Sequence, residues 1–557
     1  MKTVLFTMPT FYYEHPQGVP RLISFLKKKG HCVEHRNINY EFYLRILSES
    51  YLNKIYSERT CHTKVKDFFA GNNVADFIKD VNNSNNILNN YFCSLSHPEF
   101  LKNINVIKRG LQFIDAAFYP TIHRLDTGIS MHYSPYNSRD ILKASKDKRH
   151  NVIIDFYEEY VLPYLKDEAP DIIGISMSHM NQFLPGFTLA RMIKESMKSN
   201  VVLGGSGLSQ LCGFFLKLPH LYKLFDFAVI GAGEETMDAL INELSKRGCV
   251  DKIPNLMYKV RKKLKISRYI KAFSLSNAEL PEYIEPRPRP IIALEASQNC
   301  YWAKCSFCDR GLRYGYTQED RAKYEEKDIS VVFKELRAIK KMYNPLYVRL
   351  SDAAVSPQRL KLITNFIRES NLGLKIFTYV RAEQNFACID FCNQLTKGGL
   401  IAVGFGMESG SEAINIRYNK GASLNLSEKI LKNFKRAGIH NVLFAMVGFP
   451  DGGVEEVLHT GEFIEKNKEY IDMLLISPFT LLYNSYIYNH KDEFEIKKIL
   501  LPKMVDIPRF YNYQYKKGKA NSREALVNDV IKKYSSDRDS LIFKVLKRSD
   551  QLNAEVR

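Results

Sequence analysis

Apolar positions change their spacing along this chain, and the changes mark its elements. A short apolar run at residues 3–7 predicts a first buried strand, ended by Pro9. From residue 19 to 26 the apolar positions recur at helical intervals, and Gly30 stops that helix. A second strand is predicted near residues 32–38. Residues 41–165 then lose the strand pattern and are rich in Tyr, Phe, Asn and Lys, so they read as a largely helical insertion. Strands return near 171–178, 201–203 and 226–230, with helices at 186–198 and 234–246. Strands alternating with helices imply a parallel, doubly wound sheet.

Residues 251–285 read as a basic, hairpin-containing linker that runs into the proline-rich EPRPRP. A second alternating region opens at Ile291. Its strands are predicted near 291–296, 346–351, 374–380, 401–407, 441–447 and 471–477, with helices at 328–342, 357–369, 386–397, 425–436 and 454–467. Six strand–helix units point to a partial (β/α)6 barrel, since a complete eightfold barrel takes about 250 residues. Residues 496–557 read as a basic helical tail. The expected class is α/β, with a Rossmann-like domain over 1–250, the linker, a barrel over 286–495 and the tail. No repeat of solenoid period is present.

Composition narrows this picture little. The 557 residues are 45% apolar and 25% charged, and 33 Tyr with 34 Phe exclude global disorder. No apolar run reaches the roughly 18 residues of a membrane span, and the first residues read as a strand rather than a signal peptide. A cytoplasmic protein is expected. The net charge of +19 is concentrated: residues 251–273 carry eight Lys/Arg against one Asp, and residues 496–557 carry fifteen against seven acids. Such segments attract acidic partners or nucleic acid, but a solvated Lys-rich surface is the simpler reading, and nucleic acid is disfavoured as a partner.

The chemistry is concentrated in Cys300-Tyr-Trp-Ala-Lys-Cys305-Ser-Phe-Cys308, directly after the first predicted barrel strand. Loops that follow the strands of a parallel barrel carry its active site. A structural zinc ion takes four protein ligands, and this loop offers three. Three thiolates suit three irons of a 4Fe–4S cluster, with the fourth iron open to a ligand.

This loop, with Phe307 before its last cysteine, resembles that of radical S-adenosylmethionine (SAM) enzymes, although the commonest spacing there is x3-x2 and here it is x4-x2. The likeness continues through Arg321-Ala-Lys-Tyr, Leu350-Ser-Asp352, Tyr379-Val-Arg381, Gly404-Phe-Gly-Met-Glu408-Ser-Gly-Ser411, Lys420-Gly421, Ala437-Gly438-Ile439 and Gly448-Phe-Pro450-Asp, over roughly 286–485. The resemblance implies a 4Fe–4S cluster on Cys300, Cys305 and Cys308 and S-adenosylmethionine on the open iron. Ser351 and Asp352 would hold the methionine amino group, and Arg381 its carboxylate. Glu408 and Ser409 would hold the ribose, with Gly448 to Pro450 beside the adenine. Structural alternatives stand beside these roles: Arg381 paired with Glu383 or Glu408, Asp352 as a loop cap, Glu408 paired with Arg381 or Lys420.

The N-terminal region resembles the cobalamin-binding domain that precedes many radical SAM barrels. The matching segments are Gly18 to Gly30, Pro170 to Ser176, Val202-Leu-Gly-Gly205 and Asp226 to Glu234. Ser176, Ser178, Gly204, Gly205 and Gly231 to Glu234 are the implied cobalamin contacts. Relatives that ligate cobalt carry Asp-x-His-x-x-Gly. Here Tyr13 stands in place of the Asp two residues before His15, so the partner that would orient the imidazole is missing and His15 is disfavoured as a ligand.

The resemblance implies radical modification of an unactivated carbon in a peptide or small natural product, by cobalamin-dependent methyl transfer. Flavodoxin or ferredoxin would be the electron donor. Cobalamin-independent crosslinking, rearrangement or oxidation is the alternative. Sulfur insertion into transfer RNA would need a second cluster, and Cys32, Cys61 and Cys93 lack the loop context for one. A non-enzymatic sensor is disfavoured by the intact run of cofactor motifs.

Overall fold

The structure is a computed structural model. It describes residues 1–10, 17–71, 73–91, 95–125, 128–261, 263–268, 274–283, 291–308, 324–345, 347–501, 503–516 and 520–534. The chain divides into two units, one built chiefly on Met1–Pro288 with Met504–Ile507, the other chiefly on Thr317–Lys503 with the flanking segments Arg289–Arg313 and Pro508–Arg557.

In the first unit, strands β1 (Lys2–Thr7), β2 (Cys32–Asn37), β3 (Ile172–Ser176), β4 (Asn200–Gly204) and β5 (Phe227–Val229) run parallel, in the order β2-β1-β3-β4-β5. Two further strands, β6 (Leu256–Val260) and β7 (Lys263–Ile266), extend the sheet antiparallel. Helices α1 (Gly18–Lys28), α2 (Phe183–Ser196), α3 (Ser206–Phe215) and α4 (Glu234–Ser245) connect the parallel strands. Apolar residues of α1 and α4, among them Ile23, Leu26, Leu240 and Ile241, pack on Leu5, Ile172, Val202 and Val229. The strand order reverses at β1, and an open α/β sheet binds ligands outside the carboxyl ends of its strands at such a switch point.

Helices fill much of residues 38–168, where the sequence predicts a helical insertion over 41–165. Long helices at Val74–Tyr91 and His97–Ala117 pack beside shorter ones, and a small hairpin pairs Ile122–Arg124 with Gly128–Ser130. Phe68, Phe69, Phe77 and Phe113 meet in one aromatic cluster, which accounts for the aromatic content of this stretch.

The second unit is the six-stranded barrel that the sequence predicts. Strands β8 (Ile291–Leu294), β9 (Tyr347–Leu350), β10 (Lys375–Tyr379), β11 (Leu400–Glu408), β12 (His440–Val447) and β13 (Met473–Pro478) pair in sequential order, all parallel. Helices α5 (Ile329–Tyr343), α6 (Pro357–Glu369), α7 (Ile389–Lys397), α8 (Leu424–Arg436) and α9 (Val454–Asn467) lie between them. The faces of β11 are unambiguous. Phe405 meets Phe434 of α8, so it faces the helices. Gly404 and Gly406 therefore face the lumen, and a Cβ on Gly404 would strike Tyr379 of β10 and Phe444 of β12.

The segment read as a helical tail differs from its expectation. It opens with strands β15 (Ile496–Leu500) and β16 (Phe510–Tyr515), which with β14 (Leu481–Leu482) form an antiparallel sheet. The helix begins only at α10 (Ala520–Tyr534), whose Val527 and Val530 pack on Val447 and Val457. Residues 535–557 lie outside the described residues. Among the described residues, no helix is long and apolar enough to cross a membrane.

Candidate active site at the barrel mouth

The cysteine loop leaves the carboxyl end of β8 and is fixed at its start by Asp352, which follows β9. The buried Asp352 carboxylate accepts from Ala296 N at 3.1 Å and Ser297 Oγ at 2.5 Å. Burial pushes this carboxyl up to about 6, although both hydrogen bonds favour its ionised form. Asp352 thus caps the loop, the structural alternative to an amino-group ligand. Ser351 stands beside it, its N and Oγ directed to Leu294 O at 2.9 and 3.3 Å.

The middle of the loop is held by residues near the end of β11. Trp302 Nε1 donates to Asn419 O at 2.8 Å, and Ser306 N donates to Tyr418 O at 3.0 Å. The Arg381 guanidinium lies 4.5 Å from the centre of the Trp302 ring, and its Nη2 donates to Lys420 O at 2.6 Å. Its Nε stands 3.5 Å from Glu383, which also accepts from Tyr301 Oη at 3.0 Å. Arg381 therefore braces the loop from below. Phe307 packs against Tyr418 and Phe449, which anchors the last turn of the loop in an aromatic core.

Cys300, Cys305 and Cys308 are half-buried free thiols. Burial raises the Cys305 thiol, Lys420 and Arg381 pull it down, and Glu408 and Cys300 raise it further. Among the described residues, the group whose ligand atoms gather within 4.8 Å is His132, Asp147 and His150 in the insertion, where hydrogen bonds of 2.8 Å from His150 Nδ1 and Tyr133 Oη to Asp147 explain the closeness. The three thiols of the cysteine loop would each bind a different iron of a four-iron cluster.

At Glu408 the strand pairing shifts register and the backbone turns left-handed, with φ of 68°. This bulge aims the carboxylate at Lys420 Nζ, 2.6 Å away. The space is made by Gly406, where a Cβ would overlap the Glu408 carboxylate. The next residue, Ser409, is fully buried and donates to Glu456 Oε1 at 2.9 Å. Glu456 also accepts from Gly448 N at 3.0 Å, so one carboxylate of α9 ties the end of β11 to the end of β12. Gly448 takes a φ of 89°, and Pro450 follows in a buried turn. Ser409 and Gly448 are thus joined through Glu456, which sequence reasoning did not single out. Trp302 and Gly421 were quoted without a role. Their signal is weak, because it lies in contacts between segments far apart in the chain. Residues 321–323 of the quoted Arg321-Ala-Lys-Tyr lie outside the described residues.

In the first unit, the predicted contacts gather at the carboxyl ends of β3, β4 and β5. Met177 N, between Ser176 and Ser178, donates to Gly204 O at 2.8 Å, and Ser206 Oγ donates to Ser178 O at 3.1 Å. Gly205 takes a φ of 100°, and a Cβ there would meet the Met177 backbone at 2.5 Å. A Cβ on Gly204 would find nothing within 4 Å. Gly204 therefore borders open space at the end of β4. Gly231, with φ of 83°, donates its N–H to Ser209 Oγ at 3.0 Å. Glu234 is buried and accepts from Arg21 Nε at 3.0 Å. His15 lies outside the described residues.

Comparison with known proteins agrees with this geometry. Residues 294–464 match the Radical SAM superfamily model. The chain is 24% identical over 325 residues to an uncharacterized methyltransferase of Pyrococcus horikoshii, covering 57% of this chain and 68% of that protein. Among solved structures, the radical S-adenosylmethionine methyltransferase TsrM from Kitasatospora setae, with tryptophan substrate and a SAM analog bound, superposes with a TM-score of 0.54 at 12% identity, over 88% of this chain and 76% of that one. The cobalamin-dependent S-adenosylmethionine radical enzyme OxsB, with aqua-cobalamin and S-adenosylmethionine bound, gives 0.52 at 15% identity, over 76% and 69%. With three cysteines at the mouth of the matching barrel, residues 294–464 carry a Radical SAM domain, and the fold of the chain resembles those of TsrM and OxsB.

Proposed function

We propose that this enzyme is a cobalamin-dependent methyltransferase that acts on an unactivated carbon of a peptide or small natural product. The observation that carries the reading is the braced three-thiol loop at the barrel mouth, in a chain whose other unit keeps open space beside Gly204 at its strand ends. When bound, the cluster with S-adenosylmethionine supplies a 5′-deoxyadenosyl radical by reductive C–S cleavage, and cobalamin supplies the methyl group.

The chain's own residues have separable tasks in this reading. Cys300, Cys305 and Cys308 hold three irons. Trp302, Arg381 and Asp352 keep the loop in place around them. Glu408, held by Lys420, offers a carboxylate oxygen to ribose hydroxyls, and the Gly448 turn at the end of β12 would lie beside the adenine. Gly204 lets the cobalamin tail approach β4, and Gly205 lets the chain turn there against Met177. A flavodoxin or ferredoxin donates the electron.

Anaerobic reconstitution tests the proposal. The protein is expected to bind about four irons and four sulfides, to release 5′-deoxyadenosine with a reductant, and to retain a corrin when produced with cobalamin. Cleavage of S-adenosylmethionine without any retained corrin would favour cobalamin-independent radical chemistry. Absence of both a cluster and cleavage would refute the reading.

A further inference from the structure

The lumen of the barrel carries a cation that none of the cofactor roles above uses. Arg349 is the third residue of β9, paired in register with Ala293 of β8 and Phe377 of β10. Its strand neighbours Val348 and Leu350 are fully buried, while Arg349 is exposed. The guanidinium carbon lies 5.7 Å from the centre of the Tyr379 ring, and Tyr379 faces Gly404 and Phe444 across the lumen. Arg349 is therefore an inward residue, one pleat below the mouth.

The other cations nearby are committed. Lys420 is paired with Glu408, and Arg381 is held by Lys420 O, Trp302 and Glu383. Among the described residues, no carboxylate stands within ion-pair distance of Arg349. Around it, Phe377, Tyr379 and Phe444 keep part of their surface exposed toward the lumen. A cation beside half-exposed aromatic rings inside a barrel is a receptor waiting for an amphipathic anion: the fork binds a carboxylate, and the rings cover an apolar body.

We propose that Arg349 is the anion receptor of the lumen and binds the carboxylate of a ligand whose apolar part lies against Phe377, Tyr379 and Phe444. That carboxylate belongs either to the substrate or to the methionine half of S-adenosylmethionine, because Arg381, expected from the sequence to take the latter, is occupied within the protein. The proposal rests on the reading of this barrel as a ligand-binding radical SAM lumen.

The test uses the full chain with its cluster reconstituted. Calorimetry measures the affinity of S-adenosylmethionine, and that of indole-3-propionate beside its neutral amide, for the wild type, Arg349→Met and Arg349→Lys. Iron content and melting temperature of each variant show whether it is intact. If the substrate supplies the carboxylate, the wild type binds the acid at least tenfold more tightly than the amide. Arg349→Met then abolishes that preference and leaves S-adenosylmethionine affinity unchanged. If the cofactor supplies it, Arg349→Met weakens S-adenosylmethionine at least tenfold, and Arg349→Lys recovers part of the loss. Intact Arg349→Met with neither change overturns the proposal, as does a wild type that shows no acid preference while the variant keeps full cofactor affinity. Formation of 5′-deoxyadenosine by the wild type is scored separately, so failure of the functional reading is not confused with failure of the receptor.

Discussion

The indole of Trp302 occupies the space that a Cβ on Gly421 would need. Gly421 also holds a φ of 73°, in the left-handed region that glycine adopts at least cost. Contact and conformation therefore impose the same residue at this position. The cysteine loop, one residue longer between its first two thiols than the commonest spacing, is seated by this contact and by the neighbouring bond from Trp302 to Asn419 O.

Gly421→Ala should unseat the loop. The methyl group meets the indole and strains the backbone, at a combined cost of about 1–3 kcal/mol. Iron and sulfide content after reconstitution should fall well below wild type while most of the fold remains. Full cluster content in this variant would show that Trp302 does not position the thiols.

Cys305→Ala removes one of the three thiols of the loop, the one whose charged form Lys420 and Arg381 favour. One iron loses its thiolate, so the broad visible absorbance of the cluster and 5′-deoxyadenosine formation should both disappear. The variant is unsound as an assignment only if it still cleaves S-adenosylmethionine, and that outcome would remove Cys305 from the ligand set.

Glu408 and Lys420 form a nearly buried pair, 2.6 Å apart. Glu408→Gln leaves Lys420 with an uncompensated charge, and a loss of about 3 kcal/mol of stability is expected. If the carboxylate also serves ribose, S-adenosylmethionine should bind more weakly by about 1–3 kcal/mol. Lys420→Met added to Glu408→Gln should restore the melting temperature without restoring affinity. Affinity that returns together with stability would reduce Glu408 to a structural residue.

Much of this site could be read from the sequence, and the exceptions share a cause. Alternation in Leu400 to Glu408 marks β11, and the three cysteines mark the mouth. Local spacing could not say that Asp352 turns back to Ser297, or that Glu456 reaches Ser409, because these bonds join segments separated by tens of residues. The two missed strands fail for opposite reasons. Ile496-Lys-Lys-Ile499 has apolar residues three apart and imitates a helix, yet it pairs with β16. Phe510-Tyr-Asn-Tyr-Gln-Tyr515 does alternate at period two, a strand signal outweighed by the basic helical sequence that follows it.

The Asp352 carboxyl carries a signed pH dependence. Burial lifts it from the ordinary 3.8 to about 6, so between these values the folded chain holds more of this proton than the unfolded chain. Its contribution to stability is therefore greatest at the acid end and falls as pH rises from 3.8 to 6, by up to ~3 kcal/mol. Asp352→Asn should flatten that part of the stability profile relative to wild type in melting curves across the window. Parallel profiles for the two proteins would contradict the assignment of a raised carboxyl.

Gly204 and Gly205 separate a fold requirement from a ligand requirement within two adjacent residues. Gly205 has a positive φ, and its Cβ would press on the Met177 backbone, so Gly205→Ala should lower the melting temperature, by ~2 kcal/mol equivalent, whatever the ligand. Gly204 has neither constraint. A side chain there projects into open space at the end of β4, so Gly204→Leu should melt close to wild type. If that space receives the cobalamin tail, the leucine fills it, and protein purified from cobalamin-supplied cells should lose most of its corrin absorbance. Cluster content and S-adenosylmethionine affinity, which depend on residues of the other unit, should stay unchanged. A Gly204→Leu protein that is folded and retains as much corrin as wild type would place cobalamin elsewhere or remove it from the mechanism.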